Sequence, residues 1–250
     1  MKYIFGNWKM YLNCDESISF AESLKKENLK DKNTEIAFFP TALAMILVQN
    51  VLKKSGVHFG MQDCSWAPKG AYTGAISALM FKEAGCKYAL VGHSERRRIF
   101  GESNADVRKK LDAVLDAGLI PVLCIGETKE DKDGNRTKYC LKKQLREGLE
   151  GLDASSDKII IAYEPVWAIG TNNPCLPADA DDVHGFIKQE VKKYLKGEAA
   201  VLYGGSVNAD NAASYTKLET VDGVLAGGAS VKIDKFMPLV KAVRNSIYEL

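Results

Sequence analysis

The chain has 250 residues, 46% of them hydrophobic and 26% charged, a globular composition that excludes a disordered or fibrous protein. Thirty-four basic against 32 acidic side chains leave a formal charge of +2, which gives no general electrostatic reason to bind nucleic acid or an anionic membrane. The longest apolar stretch, residues 42–48, is far short of the roughly 20 residues that cross a bilayer.

Short runs rich in branched and aromatic residues predict strands at 2–8, 35–39, 57–62, 88–92, 120–125, 159–163, 200–203 and 223–226. Many are apolar on consecutive residues, as expected when both faces of a strand are covered. Helical spacing fills the intervals. Val107, Leu111, Val114 and Leu115 form one apolar stripe, and Leu141, Leu145 and Leu149 form another. Further helices are predicted near 17–26, 42–54, 77–84, 179–195, 209–217 and 235–243. Strands alternating with helices require parallel pairing through crossovers. An open doubly wound sheet could use the same string. Successive strands begin about 31 residues apart and the units fill the chain without a linker, which favours a single (β/α)8 barrel domain over residues 1–250.

One connection is too long. Residues 63–76 number about 14, where such loops usually have about 2–6. Trp66, Pro68, Gly70, Tyr72 and Gly74 give it a turn-rich, aromatic tip, expected to pack against something such as a second subunit. The opening MKYIFGNWKM has no apolar core of signal-peptide type, and none of the six cysteines forms a CxxC pair. A cytoplasmic protein with reduced thiols is expected.

In parallel barrels, reactive groups collect where strands end. Asn7 and Lys9 follow the first strand, His93, Ser94 and Glu95 the fourth, and Glu164 the sixth. A carboxylate, an imidazole and a lysine suit proton transfer next to a carbonyl. Gly204, Gly205 and Ser206 follow strand 7, and Gly227, Gly228 and Ala229 follow strand 8. Glycine lets backbone N–H groups approach an anion, and these two loops commonly hold phosphate in such barrels. Residues 164–174, EPVWAIGTNNP, are too apolar for a loop that stays in water. Closure over a ligand and permanent packing explain them equally well. Cys124 is expected to pack behind the site, His58 and His184 to be structural or solvated, and 129–138 to be a solvated loop. Asp179, Asp181 and Asp182 suit a helix N-terminus and need no metal.

The strings GNWKM (6–10), GAYTG (70–74), VGHSERR (91–97), FGE (100–102), YEPVWAIGT (163–171), YGGSV (203–207) and GGAS (227–230) resemble the triosephosphate isomerase family in order and span nearly the whole chain. The resemblance implies interconversion of dihydroxyacetone phosphate and D-glyceraldehyde 3-phosphate through an enediolate, without metal or organic cofactor. It implies Glu164 as the base, His93 as a neutral imidazole that polarises the carbonyl, and Lys9 as the fixed cation with Asn7 as a nearby donor. Glu95 matches a carboxylate behind the site near Lys9. Gly170, Ser206, Gly227 and Gly228 match phosphate donors, and Thr73 matches a residue that enters a neighbouring subunit of a homodimer.

Two departures stand out. Ala75 occupies a position where many members carry a glutamate that pairs with an arginine across the interface, which is expected to leave Arg96 unpaired. The far hinge of the closing loop reads Asn173, Pro174, Cys175, and Pro174 is expected to restrict loop motion. A different barrel enzyme acting on a sugar phosphate, or a non-catalytic anion-binding protein, would share the glycines but not this base set.

Overall fold

The computed structural model describes residues 1–154, 158–171 and 173–248. Its strands are β1 (Lys2–Asn7), β2 (Thr34–Phe39), β3 (His58–Met61), β4 (Tyr88–Val91), β5 (Ile120–Ile125), β6 (Ile160–Tyr163), β7 (Ala200–Tyr203) and β8 (Gly223–Ala226). Each pairs in parallel with the next, and β8 pairs with β1, so the sheet closes into a barrel without an edge. The open-sheet alternative is thereby removed.

Helices α1 (Cys14–Leu24), α2 (Ala42–Val51), α3 (Ala78–Glu83), α4 (Ser94–Ile99), α5 (Asn104–Asp116), α6 (Lys129–Asp133), α7 (Thr137–Leu149), α8 (Pro177–Val191), α9 (Ala212–Thr216) and α10 (Ile233–Tyr248) fill the connections. Their starts carry local signals. Asn13 and Glu16 form a reciprocal capping box at α1, and Ser103 and Asp106 form another at α5. Two helices depart from expectation. The charged segment 129–138 is not a loop throughout, because Thr128 and Asp131 cap α6. Helix α4, sequence SERRRI, has no repeating apolar stripe and leaves no periodic trace. Two of the three acidic residues at the start of α8 have protein partners: Asp182 pairs with Lys138 at 2.9 Å and Asp181 accepts from the Thr220 hydroxyl.

The core divides by strand pleat. Phe5, Phe39, Tyr88, Leu90, Val122, Cys124, Ile160, Ala162, Leu202 and Leu225 fill the barrel interior. Alternate residues, including Ile4, Phe38, Val91, Leu123, Ile161, Tyr163, Val201 and Val224, meet the helices. Successive side chains of a strand point to opposite faces, so a strand buried on both reads as a continuous apolar run. The same parity holds at the strand ends. Asn7 follows Phe5 at an interval of two and Glu164 follows Ala162, so both face inward at the carboxyl mouth.

The connection 63–76 is irregular. The Ser65 amide donates to the Ile76 carbonyl at 2.8 Å, which ties its two ends together. Its tip is not covered by its own chain, with Trp66 42% and Tyr72 50% exposed.

Candidate active site

Glu164 and His93 are drawn together from strands β6 and β4 by barrel closure. His93 Nε2 lies 3.0 Å from Glu164 Oε1, and the Ser94 amide donates to Glu164 Oε2 at 2.9 Å. Both side chains are buried. The Glu95 amide donates to His93 Nδ1 at 3.2 Å, so a neutral ring carries its proton on Nε2, facing the carboxylate and the barrel mouth. Burial opposes an imidazolium here, but the Glu164 charge outweighs it and raises the proton affinity of His93. Burial likewise opposes ionised Glu164. The adjacent imidazole and the Ser94 amide overcome it and hold the carboxyl below its usual range.

Lys9 sits just beyond β1 with φ of 49°, in the left-handed region that a lysine rarely adopts. Three contacts hold it there. Its amide donates to Asn7 Oδ1 at 3.0 Å, Gln62 Nε2 donates to its carbonyl at 2.8 Å, and its ammonium reaches Glu95 Oε1 at 2.7 Å. Gln62 also donates to the Phe39 carbonyl at 2.9 Å, so one amide group links the ends of three strands.

A cavity of about 640 Å³ opens over this pair, lined by Asn7, Lys9, His93 and Glu164 together with Gly170, Ser206, Gly227 and Gly228. Eight of the residues singled out from the sequence therefore converge on one space. Glu95 stands behind Lys9, and Thr73 belongs to the exposed loop away from the cavity lining. A fixed cation, a proton-accepting carboxylate, an imidazole N–H and a glycine-rich wall are a set suited to stabilising an oxyanion while a proton moves beside it.

The segment after Glu164 begins with a short 3₁₀ turn, Val166–Ala168, and Asn172 falls outside the described residues. Ala168 is buried, and the Trp167 indole N–H donates to Glu127 Oε1 at 2.7 Å. Glu127 also accepts from the Tyr163 hydroxyl at 3.0 Å, and burial lifts its pKa. Glu127 and Gln62 are further residues of the site, beyond those expected from the sequence. Glu127 comes two residues after β5, a charged residue close behind an apolar run as Glu164 is behind β6, and that signal is present in the sequence. Gln62 has no such signature, since its role exists only where strands meet.

Cys124 is fully buried and its thiol is pushed well above the ordinary range by that burial, which fits packing and not attack. His184 is likewise core, and burial lowers its pKa to about 3. His58 is half-buried near Glu35. The expectation for Arg96 is corrected: it pairs within its own chain, with Asp63 at 3.1 Å and Glu102 at 3.3 Å, and its guanidinium stacks on Phe100. The same two carboxylates hold the buried Lys110, so the lost glutamate at position 75 leaves no stranded cation.

Known proteins of one family are similar to the chain over nearly its whole length. The sequence model of the family described as triosephosphate isomerase matches residues 2–243. The triosephosphate isomerase of Dictyoglomus thermophilum is 39% identical over 246 residues, covering 96% of this chain and 99% of that one. That of Aquifex aeolicus is 40% identical over 242 residues, covering 96% and 98%. A crystal structure of triosephosphate isomerase from Bartonella henselae superposes with a TM-score of 0.86 at 35% identity, covering 97% of this chain and 99% of that chain. With the family pattern matched from β1 to α10 and the barrel reproduced, the chain belongs to the triosephosphate isomerase family.

Proposed function

We propose that the chain is an isomerase that interconverts dihydroxyacetone phosphate and D-glyceraldehyde 3-phosphate by proton transfer through an enediolate. The observation that carries this reading is the 3.0 Å approach of Glu164 and His93 at the floor of a glycine-walled cavity. Glu164 takes a proton from the carbon beside the carbonyl and returns it to the neighbouring carbon. Charge then grows on the carbonyl oxygen. His93 donates a hydrogen bond to it from Nε2, and Lys9 and Asn7 supply further stabilisation.

The carboxylate must leave the ring to reach carbon, and this has an electrostatic consequence. What raises the proton affinity of His93 is the neighbouring charge of Glu164. Once that carboxylate turns to substrate, burial, the Lys9 charge and the Glu95 amide at Nδ1 all favour the neutral ring, with the Glu95 carboxylate, 3.8 Å from Nδ1, left to oppose them. A neutral imidazole can pass a proton between the two oxygens of the enediolate without holding it too tightly.

Gly170, Ser206, Gly227 and Gly228 bind the phosphate, with Lys9 close by, and Glu95 orients the lysine. The apolar segment after Glu164 excludes water, which protects an enediolate from losing its phosphate. No metal or organic cofactor takes part. The enzyme works as one barrel domain in the cytoplasm, in glycolysis and gluconeogenesis. It pairs as a homodimer through the 63–76 loop, whose Thr73 reaches into the partner. The half-exposed Trp66 and Tyr72 and a cavity of about 540 Å³ beside them support that contact.

A coupled assay on the purified chain with each triose phosphate, set against other sugar phosphates, tests the activity. Turnover of another sugar phosphate but of neither triose phosphate would replace the reading. Sedimentation of wild type and Thr73→Arg tests the dimer. A monomeric wild type would defeat it.

A further inference from the structure

The segment over the cavity is fastened at both ends to the β7 region. At its near end the Ser206 hydroxyl donates to the Ala168 carbonyl at 2.7 Å. At its far end, just after Pro174, both polar groups of Cys175 are taken by tyrosines. The Cys175 amide donates to the Tyr203 hydroxyl at 3.2 Å, and the Tyr215 hydroxyl donates to the Cys175 carbonyl. Tyr203 ends β7 and Tyr215 lies on α9, and their rings stack with centroids 4.1 Å apart and planes 15° from parallel.

All three residues are buried, so water cannot stand in for a lost partner. Pro174 has no amide hydrogen and a fixed φ. The far hinge is therefore constrained by a ring on one residue and by two hydroxyls on the next. Between the fastenings, Ile169, Gly170 and Pro174 line the cavity, so these bonds hold the lining residues in place over it.

We propose that Tyr215 is a positioning residue for the isomerisation, its hydroxyl clamping the Cys175 carbonyl so that the segment over the cavity is held at its far hinge and bound ligand is retained. The inference rests on the isomerase reading for what the segment covers. Tyr215→Phe removes one oxygen and keeps the ring stack. Release of 2-phosphoglycolate, a two-carbon phosphate whose carboxylate imitates the enediolate, should become about tenfold faster, and the Cys175 amide of the unliganded chain should exchange with solvent about tenfold faster. Thr216→Val is the control. It deletes a buried hydroxyl of the same short helix that bonds the Ala212 carbonyl and Ser246. It should lower the thermal midpoint and leave both rates at wild-type values. Unchanged rates in Tyr215→Phe, or equal acceleration in Thr216→Val, would overturn the proposal. A wild type without triose phosphate turnover would defeat the isomerase reading instead, and amide exchange at Cys175 would still decide the clamp.

Discussion

Gly126 offers a test of how far the chemistry depends on strand ends meeting at the barrel mouth. A Cβ built there would lie 1.8 Å from the Glu164 carbonyl oxygen and 2.7 Å from its carbonyl carbon. Carbon–oxygen contacts settle near 3.3 Å, so Gly126→Ala demands a displacement of about 1.5 Å. Both obstacles are backbone atoms, so no side chain can swing away to relieve the clash. The Glu164 amide is bonded to the Ile125 carbonyl at 2.7 Å, so the two strand ends cannot separate without losing that bond. The base moves with its own backbone. A misplacement of about 1 Å costs roughly 10² in rate, equivalent to about 2.7 kcal/mol of barrier. Overpacking should also lower stability by about 1–3 kcal/mol. The assay is kcat for triose phosphate beside a urea unfolding curve. Gly148→Ala serves as the control, because its added Cβ would make only ordinary contacts of 3.5 Å with Leu111 and Leu123. Gly148→Ala should keep full activity. If Gly126→Ala turns over within about threefold of wild type, the claim that this approach positions the base is wrong.

Glu164→Asp withdraws the carboxylate by one methylene, and kcat should fall by at least about 10² with little change in KM; steady-state kinetics near the wild-type value would remove Glu164 as the base. His184 gives a pH prediction. Burial lowers its pKa to about 3, against about 6.5 in the unfolded chain, so below pH 6.5 the unfolded state takes up a proton that the folded state refuses. Stability is therefore full above pH 6.5 and is lost as pH falls towards 3. Between pH 7 and 4 wild type should lose about 3 kcal/mol more than His184→Phe, and parallel urea-unfolding profiles would refute it. Glu102→Ala strips a carboxylate from the buried Lys110 and from Arg96, with an expected cost of about 3–5 kcal/mol. A thermal or urea measurement showing less than about 1 kcal/mol would mean that Asp63 alone suffices.

The positions of the strands were legible because a strand covered on both faces has to be apolar throughout, and each of the eight predicted runs coincides with an observed strand to within a residue or two at either end. Glu164, His93, Lys9 and the paired glycines were legible because polar or flexible residues directly after such runs have few structural reasons to be there. Helix α4 was not, since six residues with three consecutive arginines carry no periodicity. The pairing of Arg96 is not legible in the sequence for a different reason. Its partners Asp63 and Glu102 lie on separate segments, and only α4 and the 63–76 connection packed side by side make them neighbours.

Local chemistry, written residue by residue, was sufficient to determine where the chain turns, which faces are apolar and which side chains have reactive groups. Closure of the barrel alone decided what those groups touch. Hydrophobic burial is non-directional and depends on pattern, so it survives in one dimension. Hydrogen bonds and ion pairs act over about 3 Å, and the 3.0 Å between Glu164 and His93, the bridge made by Gln62 and the tyrosine pair at Cys175 all join residues many positions apart. Those contacts exist because β1 meets β8 and eight strand ends face one mouth.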